Sequence, residues 1–118
     1  MSVEWIKEYC LSLKGATEEV QWETSLLYKV GGKMFVITSM LQTSSLLLSL
    51  KTDPETFAEL TEREGIIPAP YLARNKWIAI ERTARVKPAE VKELIKNSYE
   101  LVAAKLPKKV KKDLGLEF

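Results

Sequence analysis

The sequence predicts a single α+β domain, in which helices pack on one face of a twisted antiparallel sheet. Three features support this prediction: a length of 118 residues, a central run of short β-rich segments joined by tight turns, and amphipathic helical patterns at both ends. Strands joined by tight turns pair antiparallel, and helices then cover one face of the sheet. A chain of this length buries enough surface to fold without a metal or a disulfide, so one domain is expected over residues 1–118.

The first predicted element is a helix over residues 3–13. Ile6, Cys10 and Leu13 follow one another at spacings of three and four, which places them on one helical face. Gly15 follows the pattern and is expected to end the helix.

A hairpin is predicted next. Residues 26–30 and 33–38 are rich in strand formers and flank Gly31 and Gly32, which can both adopt the positive φ of a tight hairpin turn. A shorter strand around residues 20–23 is expected to precede the hairpin.

A further strand over residues 45–51 leads into a second helix. Asp53 is a suitable N-cap, Pro54 fits the first helical position, and Gly65 ends the segment. Phe57 and Leu60 are its expected buried positions.

The last third of the chain predicts a loop, a strand and a long helix. Two prolines within residues 66–71 predict an extended loop, and residues 76–82 alternate as a strand with Trp77 on the face opposite Ile78. A helix opens at Pro88 and ends near Pro107, before a short basic tail. Its expected inward stripe is Val91, Leu94, Ile95, Ser98, Leu101 and Val102.

The composition argues against most catalytic and metal sites. The chain has no histidine, and its one cysteine, Cys10, excludes an intramolecular disulfide and a cysteine-based zinc site. Ser98, on the inward stripe, is expected to bond back to its own helix, and no candidate nucleophile has an oriented base. We therefore expect no enzyme activity, cofactor or metal. The absence of a signal-like or membrane-length apolar run predicts a soluble, cytoplasmic protein.

Charge is distributed unevenly along the chain. Residues 1–64 carry 6 Lys/Arg against 10 Asp/Glu, whereas residues 65–118 carry 12 against 6. This asymmetry points to an anionic partner, and the alternative is a solvated lysine-rich C-terminal half.

Several segments in order resemble one family. They are residues 15–19, 28–35, 50–55, 68–71, 75–78 and 98–102. Together they resemble the MmcQ/YjbR family over nearly the whole chain. The resemblance implies a CyaY-like α+β fold with two β-hairpin wings, the "double wing", and a DNA-binding function. Many relatives have proline where this chain has Lys14 and histidine where it has Lys76, so a role of that histidine does not carry over.

Basic residues on hairpins and turns are the candidate nucleic-acid contacts. They are Lys29, Lys33, Arg74, Asn75, Lys76, Arg82 and Arg85. Phosphate contacts need positive charge on a projecting element, and Arg74 and Asn75 are also suited to base edges. The alternative is that these side chains are solvated and keep the sheet edges soluble.

The expected partner is double-stranded DNA, bound weakly by a monomer through its phosphates and largely without sequence preference. A different class of function stays open, namely a module of the same fold that binds a protein or a small ligand. An exposed apolar patch around residues 68–71 would favour a protein partner, and a contiguous positive face would favour nucleic acid.

Overall fold

A computed structural model describes residues 3–21, 24–41 and 44–117. The helices are α1 (Val3–Ser12), α2 (Pro54–Leu60), α3 (Pro88–Ala104) and α4 (Lys108–Leu114), with a short 3-10 helix at Ala73–Asn75. The strands are β1 (Ala16–Gln21), β2 (Ser25–Val30), β3 (Lys33–Ser39), β4 (Leu46–Lys51), β5 (Ile66–Pro68) and β6 (Trp77–Glu81). The predicted strand positions Trp22 and Glu23 and the turn residues Gln42 and Thr43 lie outside the described residues.

The six strands form one sheet in the order β1-β2-β3-β4-β6-β5, and every neighbouring pair is antiparallel. Consecutive strands lie side by side except where β5 joins the far edge, beyond β6. The predicted α+β class with an antiparallel sheet is confirmed.

The main core lies between the helices and one face of the sheet. Helices α1 and α3 contribute Ile6, Cys10 and Ile95, and the strands contribute Phe35 and Ile78, all completely buried. The predicted arrangement of helices on one face is therefore also confirmed. Apolar residues lie at helical spacing on α1 and α3 and at alternate positions on the strands. Both sets of side chains are buried together in the layer between helices and sheet.

A smaller apolar cluster occupies the opposite face of the sheet. Its buried members are Ala69, Trp77 and Ala79, and Met34 and Leu72 pack against them. Trp77 thus faces away from Ile78, as the alternation predicted. Only 4% of its surface is exposed.

Two segments differ from the sequence prediction. Residues 66–68, expected in a loop, form β5, because Ile66, Ile67 and Pro68 pair with β6. Pro68 is tolerated because it ends an edge strand, where a missing N–H costs little. The tail after Pro107 is not irregular but forms α4, whose Val110 and Leu114 pack against the main core.

Smaller differences concern the first strand, α2 and α3. The strand β1 begins at Ala16, earlier than predicted. Leu60 is buried as expected, but Phe57 is only half-buried. On α3, Tyr99 is buried whereas Leu101 is partly exposed.

Ser98 does not bond back to its own helix, contrary to expectation. Its Oγ donates to the carbonyl of Phe35 at 2.7 Å and accepts from the N–H of Lys51 at 3.0 Å. The residue is completely buried. Its two bonds join α3 to β3 and to the end of β4.

Candidate functional site

The predicted contact residues separate to the two ends of the sheet. Lys51 pairs with Trp77 in the sheet, so the end of β4, the start of β6 and the residues before it share one end. Lys33, Arg74, Asn75 and Lys76 belong to this end. Arg82 and Arg85 follow β6 at the opposite end, roughly 20 Å away at about 3.3 Å per residue.

The first end carries a cleft that we call the lysine cleft. It consists of two adjoining cavities that share Lys51 and Lys105. The first, about 310 Å³, adds Lys33 and an apolar lining: Met34, Trp77, Val102, Leu106 and Pro107. The second, about 280 Å³, adds Thr52, Asp53, Pro54, Asn75, Lys76 and Leu101.

Four elements bring the lysines of the cleft together. Lys33 opens β3, Lys51 ends β4, Lys76 precedes β6, and Lys105 follows α3. Ser98 helps to hold this arrangement, because it ties α3 to the backbone of Lys51. The cleft therefore depends on tertiary structure and not on any one basic run.

Lys51 lies at the centre of this positive charge. Its Nζ donates to the backbone carbonyl of Asn75 at 3.2 Å. Burial, followed by the charge of Lys105, lowers the pKa of Lys51 below its usual value. The charges of Lys51 and Lys105 thus repel each other.

Among the described residues, Asp53 is the one acidic side chain that lines the cleft. Its carboxylate caps α2 and accepts hydrogen bonds from the N–H and hydroxyl of Thr56, at 2.8 and 2.9 Å. These bonds hold the pKa of Asp53 below its usual value. Asp53 therefore remains an anion, but both of its carboxylate oxygens already accept hydrogen bonds from Thr56 at the helix cap.

A rigid turn presents Lys76 to the cleft. The N–H and hydroxyl of Thr52 both donate to the carbonyl of Lys76, at 2.9 and 2.7 Å. Lys76 adopts a left-handed conformation at φ 64°, and its Nζ lies 5.1 Å from the centre of the Phe57 ring. A lysine in this conformation is uncommon, and the two bonds from Thr52 hold it there.

The loop before Lys76 projects several side chains into solvent. Arg74 and Asn75 are exposed, and Tyr71 is fully exposed with φ 66°. The adjacent Pro68 and Pro70 are exposed as well. This loop borders the cleft, since Asn75 and Lys76 belong to both.

Three predicted residues lie outside both the lysine cleft and its bordering loop. Lys29, on β2, lies 2.5 Å from the carboxylate of Glu19 on β1, which neutralises it. Arg82 donates from Nε and Nη2 to the carbonyls of Ser44 and Leu41, at 2.7 and 3.2 Å, and so braces the loop before β4.

Arg85 lines a polar cleft at the opposite end of the sheet. The other charged residues there are Arg63, Glu64 and Glu81, so the charge is mixed. Arg63 is moreover paired with Glu90 of α3 at 2.9 Å.

Lys51 and Lys105 are the cleft residues that sequence reasoning did not assign to binding. Lys51 stands in a strand and carries no local binding pattern. Lys105 belongs to the C-terminal basic run, which can contact a phosphate backbone but is more often a solvated end. What brings them together is the pairing of β4 with β6 and the packing of α3, which spacing alone does not reveal.

Two further findings concern the described residues. In residues 3–21, 24–41 and 44–117, no three histidine, cysteine, aspartate or glutamate side chains come close enough to hold a metal ion. In the same part of the chain, no helix is long and apolar enough to cross a membrane.

The chain is similar to several proteins of known sequence or structure. A family model described as YjbR matches residues 11–101. An uncharacterized Escherichia coli O157:H7 protein, YbdF, is 28% identical over 87 residues, which cover 73% of this chain and 70% of YbdF.

Two crystal structures share the fold. Deinococcus radiodurans protein DR2400, a DUF419 domain, matches with a TM-score of 0.87 and 30% identity over 98% of this chain and 89% of that one. A Pseudomonas syringae protein matches with a TM-score of 0.72 and 18% identity over 86% and 99% of the two chains. With the family model spanning well over half of its length, the chain belongs to the YjbR family.

Proposed function

We propose that this protein is a non-catalytic nucleic-acid-binding protein that contacts phosphates through the lysine cleft. The observation that carries the proposal is the convergence of Lys33, Lys51, Lys76 and Lys105 on one end of the sheet, opposed by a single carboxylate among the described residues. Arg74 and Asn75, on the bordering loop, extend the same surface.

The physics of phosphate recognition fits this arrangement. A phosphate backbone needs positive charges on an accessible surface, and each neutralised phosphate releases counterions. Of the sequence-predicted contacts, Lys33, Arg74, Asn75 and Lys76 belong to this surface, and Lys51 and Lys105 join them. Lys29, Arg82 and Arg85 are not part of it. We expect weak, salt-sensitive binding without a strong sequence preference.

The chemistry of the cleft supports a binding role rather than catalysis. Its polar groups are ammonium groups, the amide of Asn75, the hydroxyl of Thr52 and the capped carboxylate of Asp53. Thr52 donates its hydroxyl to the Lys76 carbonyl, so it is not positioned as a nucleophile beside a base.

A protein-interaction role is the second candidate, and the exposed side chains of Pro68, Pro70 and Tyr71 favour it. Four lysines beside this loop, however, line two adjoining cavities. A contiguous positive surface favours a polyanion over an apolar protein partner.

The test measures fluorescence anisotropy of labelled oligonucleotides, duplex and single-stranded, at several salt concentrations. The variant K33Q/K76Q/K105Q removes three charges from the cleft, and R85Q/K87Q/K96Q removes three from exposed positions elsewhere. We expect binding that weakens with salt, with a log–log slope of about −3 to −4 for three to four duplex phosphates, and a much larger loss in the cleft variant. Absence of binding at low salt, or equal losses in the two variants, would refute the proposal.

A further inference from the structure

The apolar lining of the lysine cleft is not explained by phosphate contacts. Phosphates require charge and hydrogen-bond donors, which an open lysine-rich surface already supplies. The larger cavity instead combines three lysines with apolar walls formed by Met34, Trp77, Val102, Leu106 and Pro107. A site with this lining suits a ligand that has an apolar body and an anionic group.

The walls of this cavity are firmly held. Trp77 is 4% exposed and Leu106 is 6% exposed, so both are packed from behind. The volume of about 310 Å³ lies at the small end of the range for ligand pockets, about 300–1,000 Å³. Such a pocket suits one ring system better than an extended molecule.

We propose that this pocket receives one unstacked base of a single-stranded nucleic acid, while Lys33, Lys51 and Lys105 contact its phosphates. The inference rests on the proposed function and names the form of nucleic acid that the cleft selects. A nucleotide joins a flat, largely apolar ring to a phosphate, which matches the two kinds of lining in one pocket. In a duplex the base is paired and stacked, and extracting it requires breaking both interactions.

The bordering loop supports the same form of ligand. Tyr71 is fully exposed beside Arg74, and aromatic rings on such loops stack on the bases of a single strand. Stacking tolerates any base, so this preference for single strands requires no sequence preference.

The experiment compares a labelled single strand with the duplex of the same sequence, using the full chain. Val102→Phe fills the pocket from α3 and leaves every lysine in place, and Val20→Phe, at an exposed position on β1, is the control. We expect the single strand to bind roughly tenfold more tightly than the duplex. Val102→Phe should remove that preference by weakening single-strand binding, and Val20→Phe should leave the preference unchanged.

Met34→Trp fills the same pocket from β3 and replaces Val102→Phe if that variant does not fold. Equal affinity for both forms, unaffected by filling the pocket, would overturn this inference and leave the proposed function standing. Binding to neither form would refute the proposed function itself.

Adenosine monophosphate is the third probe, because a free nucleotide has the same ring and phosphate as one unit of a strand. If the mononucleotide displaces the labelled oligonucleotide only at concentrations far above that of the oligonucleotide, the result supports a strand as the ligand. Equal affinity for the mononucleotide and the oligonucleotide would overturn the assignment to a strand.

Discussion

Ser98 links the packing of α3 to the geometry of the lysine cleft. Its hydroxyl satisfies the carbonyl of Phe35 and the N–H of Lys51, both within or beside the core. In Ser98→Ala both groups lose their partner, and each buried unsatisfied group costs about 1–3 kcal/mol. We therefore expect the free energy of unfolding to fall by about 2–6 kcal/mol, measured by urea denaturation.

Ser12→Ala is the matched control for this measurement. Its hydroxyl also bonds a carbonyl, that of Tyr9, but the site is exposed and water can replace it. We expect a change within about 0.5 kcal/mol. Similar losses in the two variants would show that the bridge made by Ser98 adds nothing to stability.

Cys10 is expected to be chemically inert in the folded protein. Burial, with a smaller effect of the Glu18 charge, raises the pKa of its thiol to about 12. The reactive thiolate is then scarce at neutral pH, and the side chain is completely buried. An aromatic disulfide reagent should label Cys10 only after unfolding, and rapid labelling of the native protein would contradict this burial.

The same pKa shift predicts lower stability at alkaline pH. The folded thiol holds its proton more tightly than the unfolded thiol, whose pKa is about 9.0. Above that pH the unfolded state loses protons that the folded state retains, so stability falls as the pH rises toward 12. Replacing Cys10 with alanine should flatten this part of the stability–pH curve.

Two glycines in the turn between β2 and β3 allow the cost of overpacking to be separated from the cost of backbone conformation. Gly31 and Gly32 both have positive φ, 59° and 81°. A Cβ at Gly31 would lie 2.6 Å from a methyl carbon of Leu106, whereas a Cβ at Gly32 would meet nothing within 4 Å. Both alanine variants carry a conformational cost of about 1–2 kcal/mol, and Gly31→Ala adds overpacking of about 1–3 kcal/mol.

Thermal unfolding of the two variants measures that difference. Gly31→Ala should have the lower Tm. Equal Tm values would mean that Leu106 moves aside freely, and that the link between α3 and α4 is not held firmly against this turn.

This hairpin was predictable, because two β-rich runs and a glycine pair form a strong local signal. The strand β5 was not, since Pro68 disfavours a strand unless the segment lies at an edge, and only the tertiary pairing with β6 supplies that edge. The helix α4 was not predicted, because its four lysines suggested a solvated tail although Val110 and Leu114 lie four residues apart. Gly115, at positive φ beyond the helix, was the overlooked signal for its end.

For the molecule as a whole, the sequence indicated that the candidate site would be positively charged, but it did not indicate which residues would form it. The positive excess of the second half indicated an anionic partner, but Lys33 and Lys51 of the cleft come from the acidic first half. They meet Lys76 and Lys105 only through sheet order and the packing of α3. Lys29 and Arg82 have equally basic side chains, yet they bond to a carboxylate and to carbonyls of the chain itself.

A cleft that gathers like charges is expected to lower the stability of the unbound protein. Lys51→Met removes a partly buried charge and keeps a similar side-chain volume. Water replaces the lost bond to the exposed carbonyl of Asn75. Because burial and then the charge of Lys105 both disfavour the charged form of Lys51, we expect the Tm of this variant to rise at neutral pH and low salt. The part of the gain that comes from Lys105 should shrink in 0.5 M salt, which screens that repulsion, and nucleic-acid affinity should fall in the same variant.

The stability gained in Lys51→Met is expected to depend on pH. Because the folded-state pKa of Lys51 lies below 10.5, its charged form destabilises the fold at neutral pH. This penalty fades as the pH rises through the folded pKa toward 10.5, so the advantage of Lys51→Met should fade with it. Lys96→Met, at an exposed position on α3, should change the Tm little at any pH. A lower Tm for Lys51→Met than for Lys96→Met would mean that the lysines do not strain the unbound fold, and would remove repulsion as a reason for the cleft to bind an anion.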